Sequence, residues 1–282
     1  MTWLTLSIIS VITLAIANLL RKILMKDETS DTFTYSFVFQ IMSALIVGIF
    51  AFAYGFVMPP IGEFPINFAL TTALYAGATL FLFKAYSDGE ASRITILGSS
   101  STLWVIVGAM LFLGESFDLT KTVGVALILL GVILVSLKRE SLAFSRGDVF
   151  ALGSATCYGL AFVNDAFILR EANALSYTSI AFLLPGLLML AVKPRLVRNL
   201  KQFLKPRVLA KMSVFSLFYS VAAITVYMAY QKGGGAAQLG SISQSVVILT
   251  VILAAIFLGE RENLAKKSIA AILTTIGVIL LR

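Results

Sequence analysis

The side chains able to do chemistry in this chain are few, and they lie inside or at the ends of long apolar runs. Lys84 sits in the third such run, about one turn from its end, and Asp165 sits in the sixth, beside Asn164. An ionisable group within a membrane span is costly and marks a functional site by default. If both faced one cavity, Lys84 would meet a carboxylate and Asp165 an amine, a pairing that suits a zwitterion. A blander reading stays open for each: Lys84 can lay its stem along apolar surface and place its charge at the headgroups, and Asp165 can cap or pair locally. Arg93 opens the fourth run after the turn Asp88-Gly89-Glu90, where it can pair with either acid or point into a cavity mouth.

Uncharged polar residues complete the candidate cavity lining: Asn18, Gln40, Ser100, Trp104, Tyr158, Tyr219 and Gln244, together with Lys84 and Asp165. In hydrocarbon such groups must face protein or water. Ser99-Ser100-Ser101-Thr102 in the fourth run is matched by Ser243-Gln244-Ser245 in the ninth. Both runs could line a cavity at mid-depth, or their small residues could simply let helices pack closely. Tyr75, Tyr158, Tyr219 and Tyr227 could form an aromatic wall with polar tips or an interfacial belt. Position within the runs favours Tyr158 and Tyr219 as internal.

Several chemistries are excluded. Histidine is absent and Cys157 is the only cysteine, so no Ser-His-Asp or Cys-His arrangement, paired-cysteine metal motif or disulfide framework can form within the chain. No phosphate-loop Lys-Ser/Thr follows Gly233-Gly234-Gly235, which reads better as a hinge or tight hairpin than as a phosphate cradle. The expectation is a non-enzyme with no catalytic residue, cofactor or metal. The net charge of +8 does not indicate nucleic acid, because the basic residues are scattered through short loops.

The elements that must position these residues are membrane helices. Of 282 residues, 59% are hydrophobic and 13% charged, about half the charge of a soluble domain, and mean hydropathy is +0.96. Ten apolar segments run near 3–24, 34–57, 66–87, 92–113, 120–137, 148–169, 174–192, 208–230, 236–258 and 265–281. Most are long enough to cross a bilayer. Helices satisfy their own backbone groups there, and the alternating pattern of a membrane barrel is missing. The first segment lacks a basic leader and a clear cleavage site, and so reads as a span rather than a signal peptide. Of the 22 Lys and Arg residues, 18 fall in alternate connections that include 193–211, and 4 on the opposite side. The positive-inside rule then puts both termini outside.

The two halves repeat. Ala85-Tyr86, Phe112-Leu113-Gly114-Glu115, Leu119, Lys121 and Gly131-Val132-Ile133-Leu134 recur as Ala229-Tyr230, Phe257-Leu258-Gly259-Glu260, Leu264, Lys266 and Gly277-Val278-Ile279-Leu280, at offsets of 144 to 146 residues. Five spans per half is an odd number, so the second copy enters the membrane from the opposite side. The expected architecture is an all-α integral membrane protein of ten transmembrane helices, built as two inverted five-helix repeats over 1–140 and 141–282. Inverted repeats give two near-equivalent packings, one open to each side. Glu115 and Glu260, at span ends, are expected to turn a helix hairpin and bond to the next helix.

The layout and the paired Leu-Gly-Glu helix ends resemble the drug/metabolite transporter superfamily, EamA-type branch. The resemblance spans nearly the whole chain, and Gly-Val-Ile-Leu after each motif and Ala-Tyr ahead of the fourth and ninth spans add to it. Two features depart from the family pattern. Thr102 and Val247 stand where a proline is frequent before the Glu, and no acid lies in the first span, so the proton–drug exchange of the small multidrug branch is not implied. What the resemblance implies is a secondary transporter in the inner (plasma) membrane that exports or exchanges a small metabolite through a central cavity by alternating access. Amino acids are the first candidates. Its expected partners are the small-molecule substrate and the bilayer, with a monomer sufficient to complete the cavity. The competing classes are a lipid-handling membrane protein or membrane enzyme, and a passive channel.

Overall fold

The structure is a computed structural model that describes residues 2–26, 31–113, 119–138, 141–142, 144–169, 171–232 and 236–280. The described chain is helical apart from a two-residue antiparallel pair, β1 (Leu137–Lys138) with β2 (Ser141–Leu142). The helices are α1 (Trp3–Met25), α2 (Thr32–Ala53), α3 (Pro65–Asp88), α4 (Ala91–Gly98), α5 (Ser101–Leu113), α6 (Leu119–Ser136), α7 (Arg146–Ile168), α8 (Ala174–Val192), α9 (Leu196–Asn199), α10 (Pro206–Gln231), α11 (Ala236–Leu253) and α12 (Leu264–Leu280). A 3₁₀ turn (Leu200–Leu204) follows α9 and a π turn (Ala254–Leu258) ends α11.

Local chemistry sets the helix starts. Thr2, Asp31 and Asn173 cap α1, α2 and α8 with side-chain oxygens, and Ser145 with Asp148 forms a reciprocal capping box on α7. Pro65 occupies the first turn of α3, where its missing N–H costs nothing. Helices α1, α2, α3, α8 and α10 are long and apolar enough to cross a membrane by length and composition; 119–135 and 245–258 are apolar but shorter.

Polarity is arranged for a lipid solvent. Ile49, Phe52, Ile66, Leu111 and Phe257 are each at least 69% exposed, while Arg21, Gln40 and Asp165 are at most 5% exposed. Apolar surface faces outward and polar groups are held within the bundle, as the absence of water in the bilayer core requires.

The fourth apolar run is not one continuous helix. At Ser99-Ser100 the backbone turns through bonds three residues apart, from Ser99 N to Ile96 O and from Ser100 N to Leu97 O, separating α4 from α5. The serine run therefore marks a break as well as a polar stretch. The connection from Lys193 to Arg207, legible only as a basic loop, folds into α9 and the 3₁₀ turn and docks Phe203 against Tyr35 at 4.8 Å.

Helices from the two halves interleave. α1 lies along α10, α3 along α7, α2 along α8, α6 along α12 and α1 along α11, while α4 and α5 pack on α7 and α11 meets α4. Exchanging each helix for its repeat counterpart returns the same set: α1–α10 becomes α7–α3, α1–α11 becomes α7 with α4 and α5, and the other pairs are their own images. The glycines of the two Gly-Val-Ile-Leu motifs sit in one such contact. A Cβ on Gly131 would meet the Ala270 carbonyl at 2.9 Å, and one on Gly277 the Gly124 carbonyl at 2.7 Å. Small residues at these points let α6 and α12 approach backbone to backbone.

Candidate functional site

The strongest candidate centre is one that sequence analysis assigned to topology. Arg21, in the last turns of α1, is 2% exposed. It continues the small and polar stripe Ser7, Ser10, Ala17 and Asn18 at helical spacing, which was the signal available in the sequence. Its guanidinium carbon lies 5.1 to 5.6 Å from the ring centres of Phe39, Phe83, Tyr86, Phe215 and Tyr219. Cation–π attraction stabilises a desolvated charge by about 2 kcal/mol or more in such surroundings. Among the described residues no carboxylate pairs with it, and its Nε has no hydrogen-bond partner. Beside it is a cavity of about 30 Å³, lined by Phe39, Thr79, Ser154, Tyr158 and Tyr219 among others. Tyr158, one of these lining residues, is 44% exposed.

The second charge is Asp165 on α7, 5% exposed. Its carboxylate accepts from Thr71 Oγ1 at 2.9 Å, from Tyr75 Oη at 2.5 Å and from Tyr177 Oη at 2.5 Å. Asn164 donates to Thr71 Oγ1 at 2.6 Å and accepts from Asn67 at 2.6 Å, tying α3 to α7 at this end. Three hydroxyl donors hold the anion with no cation in contact among the described residues; a carboxylate has about four acceptor sites, so one further donor can be taken.

Tyrosines join the two charges. Tyr219 flanks Arg21; Tyr158 and Tyr219 interact across the cavity; Tyr75 stacks edge-on to Tyr158 at 5.6 Å and donates to Asp165. The path crosses from α1 and α10 to α7 and α3.

The other sequence candidates divide. Gln40, 1% exposed, donates to Thr79 Oγ1 at 2.7 Å at the edge of the chamber. Asn18 lies 3.4 Å from Thr250 Oγ1 and joins α1 to α11. Ser100 turns back onto the end of α4, donating to the Leu97 carbonyl at 2.7 Å. Trp104 is 39% exposed, on the stretch of α5 that presses against Gly159 of α7. Lys84 is not brought to Asp165: its ammonium lies 5.0 Å from the Phe150 ring, in a separate surface pocket with Asp88 and Arg146. Gln244, Glu115 and the triple glycine fall on side chains or segments outside those described. Arg21 and Tyr177 were not among the sequence candidates. Among the described residues no three Asp, Glu or Cys side chains converge as a metal site.

Beyond Arg21, the end of the bundle is tied by polar contacts centred on the start of α4. Glu260 accepts from Ala91 N at 2.7 Å, Ser92 N at 2.9 Å and Ser92 Oγ at 2.6 Å. The expectation that this glutamate bonds to the next helix is corrected: it caps α4, in the other half. The helix N-terminus presents unpaired N–H groups and positive potential, which a carboxylate satisfies. Arg93 forms a bidentate pair with Asp148 on α7, at 2.6 and 2.5 Å, rather than with Asp88 or Glu90. Lys267 of α12 reaches Glu90 at 2.7 Å, and Lys22 donates to the Tyr86 carbonyl at 2.9 Å.

A model of the EamA-like transporter family matches residues 1–137 and 145–282, which together span nearly the whole chain. A comparison with curated proteins returns no significant match. A solved chain described as "Crystal structure of protein" superposes with a TM-score of 0.64 at 13% identity, over 98% of this chain and 93% of its own. That likeness concerns the fold alone.

Proposed function

The chain belongs to the EamA-like transporter family, and we propose that it is a secondary transporter that exports or exchanges a small metabolite by alternating access, amino acids being the first candidates. The family makes it a multi-pass membrane protein and a transporter of small molecules. The proposal adds ten spans, arranged as two inverted five-helix units over residues 1–140 and 141–282. The helix pairing that returns to itself when the halves are exchanged supports this arrangement, because a pseudo-two-fold axis in the membrane plane produces such a pattern.

The observation that carries the reading is the chamber itself. A buried charge, an aromatic wall and tyrosine hydroxyls are enclosed jointly by α1, α2 and α3 of the first unit and α7 and α10 of the second. A site on the seam between two rigid units is exposed to one side or the other as they rock, which is what alternating access needs. The ties of Glu260, Asp148 and Lys267 to residues 90–93 cross the same seam. By the positive-inside count this end faces the cytoplasm and both termini lie outside, so the conformation described is closed toward the cytoplasm. A single chain supplies both units, and we assign the transporter as a monomer.

The test is counterflow. Purified protein in liposomes preloaded with an unlabelled amino acid pool should accumulate the labelled counterpart transiently and saturably. Nonsaturating flux with discrete single-channel currents would instead make it a passive channel.

A further inference from the structure

We infer that Arg21 binds the carboxylate of a monoanionic or zwitterionic substrate in the chamber between α1, α2, α3, α7 and α10. This rests on the transporter reading and deepens it by naming the group that the site selects. A buried guanidinium in a membrane span is expected to pair with an acid or to serve a pathway. Here it has no acidic partner among the described residues, and its Nε is unsatisfied. Aromatic rings on several sides offset part of the desolvation and hold the guanidinium plane in place. The Tyr219 hydroxyl also bonds to the guanidinium, but it is neutral and leaves Nε unsatisfied. What remains is a fixed fork of donors next to a cavity, and a planar carboxylate matches that fork in shape and charge.

Charge count selects the class of anion. The chamber offers one formal positive charge, with neutral hydroxyls from Thr79, Ser154, Tyr158 and Tyr219 around it. A single guanidinium neutralises a carboxylate; a phosphate dianion would be left with an uncompensated charge away from water. The cavity of about 30 Å³ has room for water and no more, so the ligand enters when the two halves separate. Lys84, in its own surface pocket, takes no part.

The probe set is L-alanine, L-leucine, propionate and isovalerate, each beside its amide: alaninamide, leucinamide, propionamide and isovaleramide. Ligand binding to the folded protein raises its melting temperature by mass action. At least one acid should stabilise the wild type with an apparent affinity about 10-fold or more above that of its amide, as a charge-assisted hydrogen bond predicts. Arg21→Gln should abolish the preference. Arg21→Lys, which keeps the charge but loses the planar fork, should weaken it several-fold and decides the question if Arg21→Gln does not fold. Equal affinity for acid and amide, no stabilisation of the wild type by any of the acids, or undiminished acid affinity in Arg21→Lys overturns the assignment. Counterflow separates the two levels. Saturable flux of an amide with no acid preference leaves the transporter standing and removes Arg21; an Arg21-dependent acid preference without saturable flux does the reverse.

Discussion

Replacing Glu260 by alanine tests the reading of the paired Leu-Gly-Glu motif as a cross-seam cap. The carboxylate accepts two backbone N–H groups and one hydroxyl, at 2.6 to 2.9 Å, in a residue only 8% exposed. A hydrogen bond to a charged group contributes about 1.5–3 kcal/mol, and a buried N–H left without an acceptor costs about 1–3 kcal/mol. The freed Ser92 hydroxyl can turn to its own helix, and water can reach a helix end, so we take the low end of both ranges. The expected loss is about 2–4 kcal/mol. A chain of this size shifts by roughly 2 °C per kcal/mol, so the detergent-solubilised Glu260→Ala protein should melt about 4–8 °C below the wild type. Glu262→Ala is the control, since Glu262 is exposed and two residues away; it should melt within about 1 °C of the wild type. The reasoning fails if Glu260→Ala melts with the wild type, or if Glu262→Ala falls as far.

Other expectations follow from the same contacts. Asp148→Asn should destabilise by about 3 kcal/mol, because Asp148 is fully buried and its bidentate contact with Arg93 would be lost; a double-mutant cycle with Arg93→Gln should give a coupling above about 1 kcal/mol. Gly159→Ala should cost about 1–3 kcal/mol, since its methyl would meet the Ser101 carbonyl and Trp104 Cβ; Gly62→Ala, with open space around it, should not. Burial pushes the Asp31 carboxyl up, but hydrogen bonds from Thr34 and Asn199, the Lys193 charge and the Phe33 amide together hold it below the usual carboxylate range. Its stabilisation is therefore fully present above the unfolded value of about 3.9 and is lost as pH falls through the folded value. Melting curves of wild type and Asp31→Asn should accordingly differ at pH 6 and converge as pH drops below about 4.

Composition and segment length alone identified a membrane helix bundle, because lipid leaves the backbone no other open choice. The repeat was equally legible, since Phe-Leu-Gly-Glu and Gly-Val-Ile-Leu recur at nearly constant offset. Asp165 stood out because an acid in an apolar run carries its own cost. What those signals meant in space was another matter. Arg21 read as one more basic residue beside a loop; only the convergence of α2, α3 and α10 around it makes it a buried cation in an aromatic cage. Lys84 was the other charge within an apolar run, open to a headgroup reading, and the rotation of α3 turns it to Phe150 and a surface pocket. Glu260 read as a hairpin residue, and Ala91 and Ser92, its partners, lie about 170 residues away. Sequence determines which residues lipid will not tolerate at its surface, because that cost is local. Which of them meet is decided by helix rotation and by the interleaving of the two halves, and those depend on packing between segments far apart in the chain.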